Sequence, residues 1–578
     1  MSAGPIDRAR AWLLRASDRQ LALGLFALAF LVRAVYVAEI GDTDFARVLV
    51  GDASAYDAWA RAIQNDWIGH EVFYQAPLYP YFLAVLYAIF GPSFLAVRLV
   101  QAALGGAACV LLAGAGRRFF SRGVGCGAGL LLALYGPAVF FTGLVHKPAL
   151  DIFLTTALIY ALARADEAPR RRWLLLAGLA LGALALTREN ALAWLPLLAV
   201  WLAWRHGVRS LGPFLLGAAL VLGPVAARNA AVGGEPFITT SQAGVNFYFG
   251  NNPDADGRYT PLRFGRGSFA QEREDAIDLA EHAEGRKLTP GEVSRYWSGR
   301  AWSWISGHPG AWLKLFARKW MLVWNDHEIP DSDEPLVYRD ASWVLRATWL
   351  LSFGVLCPLA LVGLVATWPE RRRLGVLTLM LLVSATSAAL FVIFARYRAP
   401  MIPLLALLAS AGAARLAVLA RERATPAART SLLVCLGLVV AAAVASRLPG
   451  AEGERPRAMA YYNLGVTLEA AGEAARAMGS YRAAVADDPA FEEAHVNLGG
   501  LLARGGDLEG AIAQETLALR LNPEDATAHT VLANALLQSG RLDEAELHYR
   551  AALRIDPELS SAQDGLAVLR DRRARGGN

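Results

Sequence analysis

The chain has 578 residues, of which 55% are hydrophobic and 19% are charged, and its formal net charge is +5. Soluble globular domains carry about 25% charged residues, so this balance excludes an ordinary soluble enzyme and indicates an integral membrane protein. The basic excess follows the membrane topology described below, and we expect no nucleic-acid partner.

Apolar runs recur from residue 21 to residue 447 and predict an all-α membrane domain of about eleven transmembrane helices. The predicted spans are 21–40, 94–115, 124–142, 148–163, 173–187, 191–204, 211–228, 345–367, 374–394, 400–419 and 430–447. The run at 77–91 is shorter and contains Pro77 and Pro80, and we interpret it as a re-entrant or interfacial helix. Residues 1–20 are basic and lack a cleavage site, which predicts a cytoplasmic tail before a retained signal anchor.

The distribution of arginine predicts the orientation of these spans. If 77–91 does not cross, nineteen arginines lie in the short segments of one side, and the short loops of the other side hold four basic residues. Basic loops stay in the cytoplasm, so we predict a multi-pass protein of the bacterial inner (cytoplasmic) membrane with its N-terminus inside. The first outer loop is then 41–92, and a large outer loop is 229–344.

The first outer loop contains the stretch GDASAYDAWA at 51–60. Asp52 is the candidate catalytic residue, because a carboxylate at the membrane surface can take the proton of an acceptor hydroxyl. The alternative is that Asp52 caps the helix that follows it. Tyr56 and Asp57 are candidate substrate-binding residues in the same stretch.

Four cations lie in outer loops at helix mouths, where the positive-inside rule disfavours them: Lys147, Arg188, Arg396 and Arg398. Cations at this depth suit an anionic ligand, although each one alone also fits a side chain that reaches the lipid headgroups. We expect Lys147, Arg396 and Arg398 to hold the phosphate of a lipid-linked donor. His146 and Glu189 are further candidate substrate-binding residues, with a structural ion pair to Arg188 as the alternative for Glu189.

The C-terminal part repeats with a period of 34 residues, since Gly472, Gly506 and Gly540 are in step. After a linker at 448–456, residues 457–573 are predicted to form three tetratricopeptide repeats and a capping helix, an α-solenoid on the extracytoplasmic side. We expect the repeats to bind a protein or peptide partner. A purely structural or dimerising role is the alternative.

Motifs of several enzyme classes are absent from the sequence, namely the phosphate-binding Gly-Lys-Ser/Thr, the hydrolase GxSxG and the zinc-binding HExxH. Asp-x-Asp occurs at 42–44, 254–256 and 331–333, and we interpret these pairs as chance. The sequence indicates no set of metal ligands, and we predict that the protein requires no cofactor. A divalent metal ion stays an open alternative.

Several segments together resemble the multi-spanning GT-C glycosyltransferases. These are Asp52-x-x-x-Tyr56, QAPLYPYFLAVLYAIFG, VRLVQAALGG, RNAAVGGEPF, AGVNFYFGNNP and FARYRAPMIPLLAL. Within that class the chain is similar to protein mannosyltransferase and aminoarabinose transferase-like bacterial proteins. The resemblance implies a polyprenyl-phosphate sugar donor, an inverting transfer and a catalytic aspartate in the first outer loop, here Asp52. Members of the family commonly have Asp-Glu at this place, whereas this chain has Asp52 followed by Ala53.

The predicted function is therefore transfer of a hexosyl or pentosyl group from a polyprenyl-phosphate donor to a protein, lipid or glycan acceptor on the extracytoplasmic face. Two alternatives remain. One is a non-catalytic membrane scaffold that assembles envelope proteins through its repeats. The other is a glycan polymerase or ligase that uses a diphosphate-linked donor.

Overall fold

A computed structural model of the chain describes residues 16–263, 269–448 and 455–576, and all regular structure within these residues is helical. Two compact units divide the chain: Met1–Asp331 with Tyr338–Glu452, and Ser332–Val337 with Gly453–Asn578. The all-α prediction is confirmed.

The helices up to the large outer loop are α1 Asp18–Ile40, α2 Asp44–Arg47, α3 Asp52–Asn65, α4 Leu78–Phe90, α5 Phe94–Phe119, α6 Arg122–Leu134, α7 Gly136–Thr142, α8 Pro148–Glu167, α9 Arg171–Ala185, α10 Trp194–His206 and α11 Leu211–Gly233. The helices that follow are α12 Ala243–Gly250, α13 Phe269–Glu284, α14 Pro290–Gly307, α15 Pro309–Val323, α16 Pro335–Ala341, α17 Trp343–Thr348, α18 Phe353–Thr367, α19 Arg371–Ala389, α20 Ile402–Arg421 and α21 Pro426–Ala445. Short 3₁₀ segments lie at Glu189–Ala193, Val208–Ser210, Trp368–Glu370 and Ala395–Met401.

A helix lies at each of the eleven predicted spans. Among the described residues, seven helical segments are long and apolar enough to cross a membrane, and the bent pair α6–α7 would make an eighth. The helices α9, α10 and α18 are shorter, with 15, 13 and 15 residues. The chain is thus a multi-pass membrane protein. Helix α4 has 13 residues, roughly 20 Å at 1.5 Å per residue, which is short of a bilayer core of about 30 Å.

The bend between α6 and α7 is 54°, and a buried arginine from α1 stabilises it. Arg33 is 1% exposed and donates to the carbonyls of Ala133 and Leu132, each at 3.1 Å. These carbonyls lie at the end of α6, where the helix no longer supplies amide donors. An unsatisfied carbonyl is costly inside a bilayer, so Arg33 here has a structural role.

Glycine pairs allow the membrane helices to pack closely. A Cβ atom on Gly178 would lie 1.9 Å from the Phe214 carbonyl, and one on Gly217 would lie 2.2 Å from the Leu175 carbonyl. Helices α9 and α11 therefore touch backbone to backbone. Small residues serve this purpose in membranes, because lipid provides no hydrophobic drive for helix association and close van der Waals contact must replace it.

The C-terminal unit consists of three helix pairs and a final helix, as predicted for tetratricopeptide repeats. The helices are α22 Pro456–Ala470, α23 Ala474–Asp487, α24 Glu492–Arg504, α25 Leu508–Leu521, α26 Ala526–Gln538, α27 Leu542–Ile555 and α28 Ser560–Gly576. Tyr481 and Tyr549 occupy the same buried position of the first and third repeats, and their hydroxyls bond to Glu469 and Asn534. Glu515 holds this position in the second repeat and is fully buried.

Candidate functional site

Asp52 is the first residue of α3, and a sharp turn precedes it. Gly51 is the N-cap residue with φ of 58°, and no side chain caps this helix. A side chain at residue 51 would be strained at this φ. The alternative role of Asp52 as the cap is therefore not observed. Its carboxylate instead accepts a 3.2 Å hydrogen bond from the hydroxyl of Tyr56, one helical turn further on.

Arg396 connects Asp52 to two other segments. Its Nη1 atom lies 2.6 Å from Asp52 Oδ2, 2.5 Å from Asp331 Oδ2 and 2.7 Å from His146 Nε2. The amide of Ala395 donates to the carbonyl of Ile329 at 2.9 Å, which places Asp331 beside the arginine. One guanidinium nitrogen thus lies among two carboxylates and an imidazole.

These contacts fix the charge states at the centre of the site. Burial by itself would raise the pKa of Asp52, but the charges of Arg396 and Lys147 outweigh it and hold this pKa well below its usual range. Burial and the charge of Arg396 hold the pKa of His146 well below its usual range. Asp52 is therefore an ionised, weakly basic carboxylate, and His146 is a neutral imidazole whose Nδ1 accepts from the Lys147 amide at 2.9 Å.

The loop that carries His146 and Lys147 is fixed by polar side chains of α5. Arg98 donates to the carbonyls of Gly143 at 2.7 Å and Ala46 at 2.6 Å. Gln101 donates to the carbonyls of Thr142 and Leu144 at 3.0 and 2.8 Å. Neither residue was among the predicted site residues, and their signal in the sequence is two polar residues within an apolar run, in the segment VRLVQ.

Lys147 and Arg188 are two cations of the site with binding capacity left. The Lys147 ammonium lies 5.0 Å from the ring centre of Tyr56, and among the described residues no carboxylate is within ion-pair distance of it. Burial lowers the pKa of Lys147 to about 8, with Glu189 acting against this and Arg188 adding to it. Arg188 donates to the buried Asp151 at 2.7 Å, while its Nη2 atom is buried without a hydrogen-bond partner in the described chain.

Glu189 contacts the large outer loop and not Arg188. It accepts hydrogen bonds from the Thr240 hydroxyl at 3.1 Å and from the Gln242 amide at 3.0 Å. The alternative of an Arg188–Glu189 ion pair is therefore not observed, since Asp151 is the partner of Arg188. Glu189 joins the α9–α10 connection to residues 240–242.

Two of the predicted substrate-binding residues are held in other contacts. Asp57 accepts from the hydroxyl of Tyr87 at 2.7 Å and from Arg61 at 2.9 Å, and it lies roughly 140° around α3 from Asp52. Arg398 is 3% exposed and forms a 2.5 Å ion pair with Glu328. Their charges are thus already engaged away from Asp52.

Asp331 contacts Arg396 directly. The interpretation of the Asp-x-Asp pair at 331–333 as chance was therefore wrong for this residue. Asp52, His146 and Asp331 offer three potential metal-ligand atoms within 4.8 Å of one another. The Arg396 nitrogen lies within 2.7 Å of the same atoms. A divalent cation at these three atoms would have to displace this guanidinium, which already supplies a positive charge there.

Two family models match the chain. Residues 74–228 match dolichyl-phosphate-mannose-protein mannosyltransferase, a segment that contains His146, Lys147 and Arg188 and ends before Arg396. Residues 462–520 and 513–560 match the tetratricopeptide repeat. No match is found among curated protein sequences. The family matches indicate a membrane glycosyltransferase domain followed by tetratricopeptide repeats.

Solved structures give distant likenesses. The oligosaccharyltransferase AglB from Archaeoglobus fulgidus, in complex with an inhibitory peptide and a dolichol-phosphate, is 14% identical, with a TM-score of 0.37 over 78% of this chain and 58% of that one. The S. cerevisiae protein O-mannosyltransferase Pmt1-Pmt2 complex is 18% identical, with a TM-score of 0.30 over 40% of this chain and 36% of that one. The first repeat domain of Spaghetti (RPAP3), bound to an HSP90 peptide, is 21% identical, with a TM-score of 0.21 over 22% of this chain and 99% of that one.

Proposed function

We propose that the chain transfers a sugar from a polyprenyl-phosphate donor to a hydroxyl of a protein, lipid or glycan acceptor on the extracytoplasmic face of the membrane. The observation that carries this proposal is the pairing of a partly buried, ionised carboxylate, Asp52, with two nearby cations that keep unused donor capacity, Lys147 and Arg188. The mannosyltransferase family match over 74–228 supports the same class of reaction.

Lys147 and Arg188 are suited to the donor phosphate. Lys147 is 6% exposed, and the side chain of Arg188, whose ion pair is with Asp151, is 11% exposed. A cation that has lost most of its water gains most from an anion that replaces this water. The unpartnered Nη2 of Arg188 offers a directed hydrogen bond. Because the phosphate gains negative charge as the sugar leaves, these two groups stabilise the transition state more than the bound donor.

Asp52 is suited to stabilise the positive charge at the anomeric carbon and to orient the acceptor hydroxyl. In inverting transfer the acceptor oxygen attacks C1, the C1–O bond to phosphate breaks, and its electron pair stays on the phosphate oxygen. The sugar ring carries positive charge at that moment, and an ionised carboxylate stabilises it. Arg396 keeps Asp52 ionised and in place, so Asp52 orients the hydroxyl, while its depressed pKa makes it a weak proton acceptor.

The remaining parts of the proposal concern topology and partners. The arginine distribution supports an outward-facing site with the repeats on the same side. The repeats are then suited to recruit the acceptor or a protein that delivers it. The transfer requires no metal ion in this proposal, because Arg396 supplies the positive charge at the only cluster of potential ligands found in the described residues.

The test compares envelope glycans and glycoproteins by mass spectrometry in a strain that lacks this protein and in strains that produce variants of it. We expect the wild-type protein to restore a glycan that is missing in the deletion strain, and Asp52→Asn to fail. Asp42→Asn, an exposed acid of the same loop, is the matched control and should restore it. Full restoration by Asp52→Asn would overturn the proposal and favour a scaffold.

A further inference from the structure

The first turn of α8 holds both cations that are suited to the donor phosphate. Lys147 is the N-cap residue of this helix, and its carbonyl accepts from the amides of Leu150 and Asp151 at 2.9 and 3.0 Å. Asp151 therefore lies one helical turn after Lys147. Its Oδ2 atom lies 2.7 Å from Arg188 Nε, so the same turn also determines where Arg188 lies.

The guanidinium of Arg188 is held at one edge and on one face. Its Nε atom donates to Asp151, and its Cζ atom lies 4.9 Å from the ring centre of Tyr397. The Nη2 atom has no hydrogen-bond partner in the part of the chain that the structure describes. A guanidinium is planar and rigid, so the contacts of Nε and of the ring face also set the direction of Nη2.

The ring of Tyr397 places Arg188 beside the cluster around Asp52. The Cζ atom of Arg396 lies 5.5 Å from the centre of this ring, on which Arg188 also packs. Arg396 in turn contacts Asp52 at 2.6 Å. Arg188 thus belongs to the same group of contacts as the proposed catalytic carboxylate.

Stability does not account for an aspartate at this place. The side chain of Asp151 is fully buried in an apolar helix, and its Oδ1 atom has no hydrogen-bond partner among the described residues. A buried ion pair adds little or no stability compared with apolar side chains of similar volume, and a buried oxygen without a donor adds a cost. An ionisable residue inside a membrane helix under these conditions indicates a functional role, here with Arg188 as its partner.

We propose that Asp151 is a positioning residue of the transfer, which orients Arg188 so that Nη2 meets the phosphate of the polyprenyl-phosphate donor. The identity of this ligand rests on the proposed function. Asp151 itself does not touch the donor, and no bond forms or breaks at its carboxylate. It acts on the binding of the phosphate, a step that precedes the transfer.

Charge and orientation predict opposite effects when the carboxylate is replaced by an amide. Asp151 is negative and repels a phosphate, so the loss of its charge alone would tighten donor binding in Asp151→Asn. A neutral amide also holds Nε by a weaker hydrogen bond than a carboxylate does. If Asp151 orients Arg188, the guanidinium of this variant turns more freely and the donor binds more weakly. The direction of the change in Kd therefore separates the two effects.

The test measures equilibrium binding of radiolabelled polyprenyl monophosphate to the full-length protein in detergent micelles. We expect Asp151→Asn to raise the Kd about 10-fold, the loss of one charge-assisted contact, and Arg188→Gln to raise it at least as much. Asp151→Asn should have no further effect when Arg188 is already glutamine, because the two residues act as one unit. Asp166→Asn is the matched control and should bind like the wild type, since Asp166 is a buried acid near the other end of α8 and pairs with Arg205.

A second variant keeps the test valid if Asp151→Asn does not fold, which its thermal unfolding midpoint shows by comparison with Asp166→Asn. Asp151→Glu keeps the charge but moves the carboxylate along the side chain. We expect a raised Kd for this variant, whereas a role through charge alone predicts no change.

The inference and the proposed function fail in different ways. A Kd that is unchanged or lower in Asp151→Asn, or effects of Asp151→Asn and Arg188→Gln that add up, would overturn the role of Asp151. If the wild type binds polyprenyl monophosphate and the variants behave as expected, but no polyprenyl-phosphate donor supports sugar transfer, only the proposed function is refuted. Absence of binding to the wild type would overturn both.

Discussion

Arg396 Nη1 lies 2.6 Å from Asp52 Oδ2 and so joins two residues that are 344 positions apart. The same nitrogen contacts Asp331 and His146. Three segments of the membrane unit thus meet at one guanidinium. Charge-assisted hydrogen bonds of this kind are short and directional, so the position of Asp52 depends on this arginine.

Replacing Arg396 by lysine should disable the site. The ammonium group of lysine is a compact, strongly hydrated point charge on a flexible stem, so it does not hold the position of Nη1 between the two carboxylates. We expect Arg396→Lys to lower sugar transfer by about 100-fold, measured as glycan restored to the deletion strain or label transferred in membranes. Arg295→Lys, at an exposed position of α14, is the control. Near-normal transfer by Arg396→Lys would contradict the central role given to the guanidinium.

Removal of divalent metal ions should leave the transfer intact. Because Arg396 already lies among Asp52, Asp331 and His146, we expect full activity in the presence of EDTA and no stoichiometric metal in the purified protein by elemental mass spectrometry. Loss of activity on chelation, with recovery on adding Mg²⁺ or Mn²⁺, would show that an ion displaces the arginine.

Lys147 should control donor affinity in a pH-dependent way. The protonated ammonium binds phosphate, and its pKa of about 8 means that the free site loses this charge as pH rises through 8. We expect the donor KM to rise above that pH and Lys147→Gln to raise it about 10-fold, equivalent to about 1.4 kcal/mol. Lys314→Gln on the large outer loop is the control. An unchanged donor KM in Lys147→Gln would show that Lys147 does not bind the donor phosphate.

The second repeat should lose stability as pH rises. Burial, followed by the charges of Asp525 and Glu492, raises the pKa of Glu515 to about 9. Between the ordinary value near 4.5 and 9 the folded state holds a proton that the unfolded state releases, so stability is greatest at the acid end and falls as pH rises. Both carboxyl oxygens also lack a hydrogen-bond partner in the described chain.

Replacing Glu515 by tyrosine, the residue at this position in the neighbouring repeats, should stabilise the second repeat by about 1–3 kcal/mol and remove the pH dependence. The measurement is hydrogen exchange of peptides from 492–538 at pH 6 and pH 8.5, after correction for intrinsic exchange rates. Glu509→Gln, exposed on the same helix, should change neither quantity. Equal protection of the wild-type peptides at both pH values would show that Glu515 does not titrate in this range.

The proposed orientation places the site and the repeats outside the cytoplasm. A reporter that is active only outside, such as alkaline phosphatase, should be active when fused after residue 50 and after residue 450. A fusion after residue 168, between two spans on the arginine-rich side, should be inactive. Activity in the reverse pattern would place Asp52 on the face opposite the proposed lipid-linked donor. It would refute the proposed topology.

The sequence predicted a large part of the site because unusual positions carried its signal. Lys147 and Arg188 were found as cations on the side where the positive-inside rule disfavours them, and Asp52 as an acid of the first outer loop. The structure brings these residues together with His146 and Arg396. Their catalytic and binding roles stay predictions.

Other parts of the site had no readable signal in the sequence. Asp331 lies in the large outer loop, where neither periodicity nor apolar composition shows which side chain turns inward. Arg396 and Arg398 look equivalent in the segment ARYRAPM, yet one contacts Asp52 and the other Glu328. Two residues along a 3₁₀ turn point roughly 120° apart, so neighbouring arginines reach different partners.

The sequence by itself determined the membrane helices and the repeats, because both follow from local rules: a bilayer requires long apolar runs, and stacked helix pairs require the same residue types every 34 positions. Only the tertiary structure decided which carboxylate faces which cation. That pairing depends on loops distant in the chain meeting in a buried space, where the pKa of each group is set by neighbours that the sequence does not place side by side.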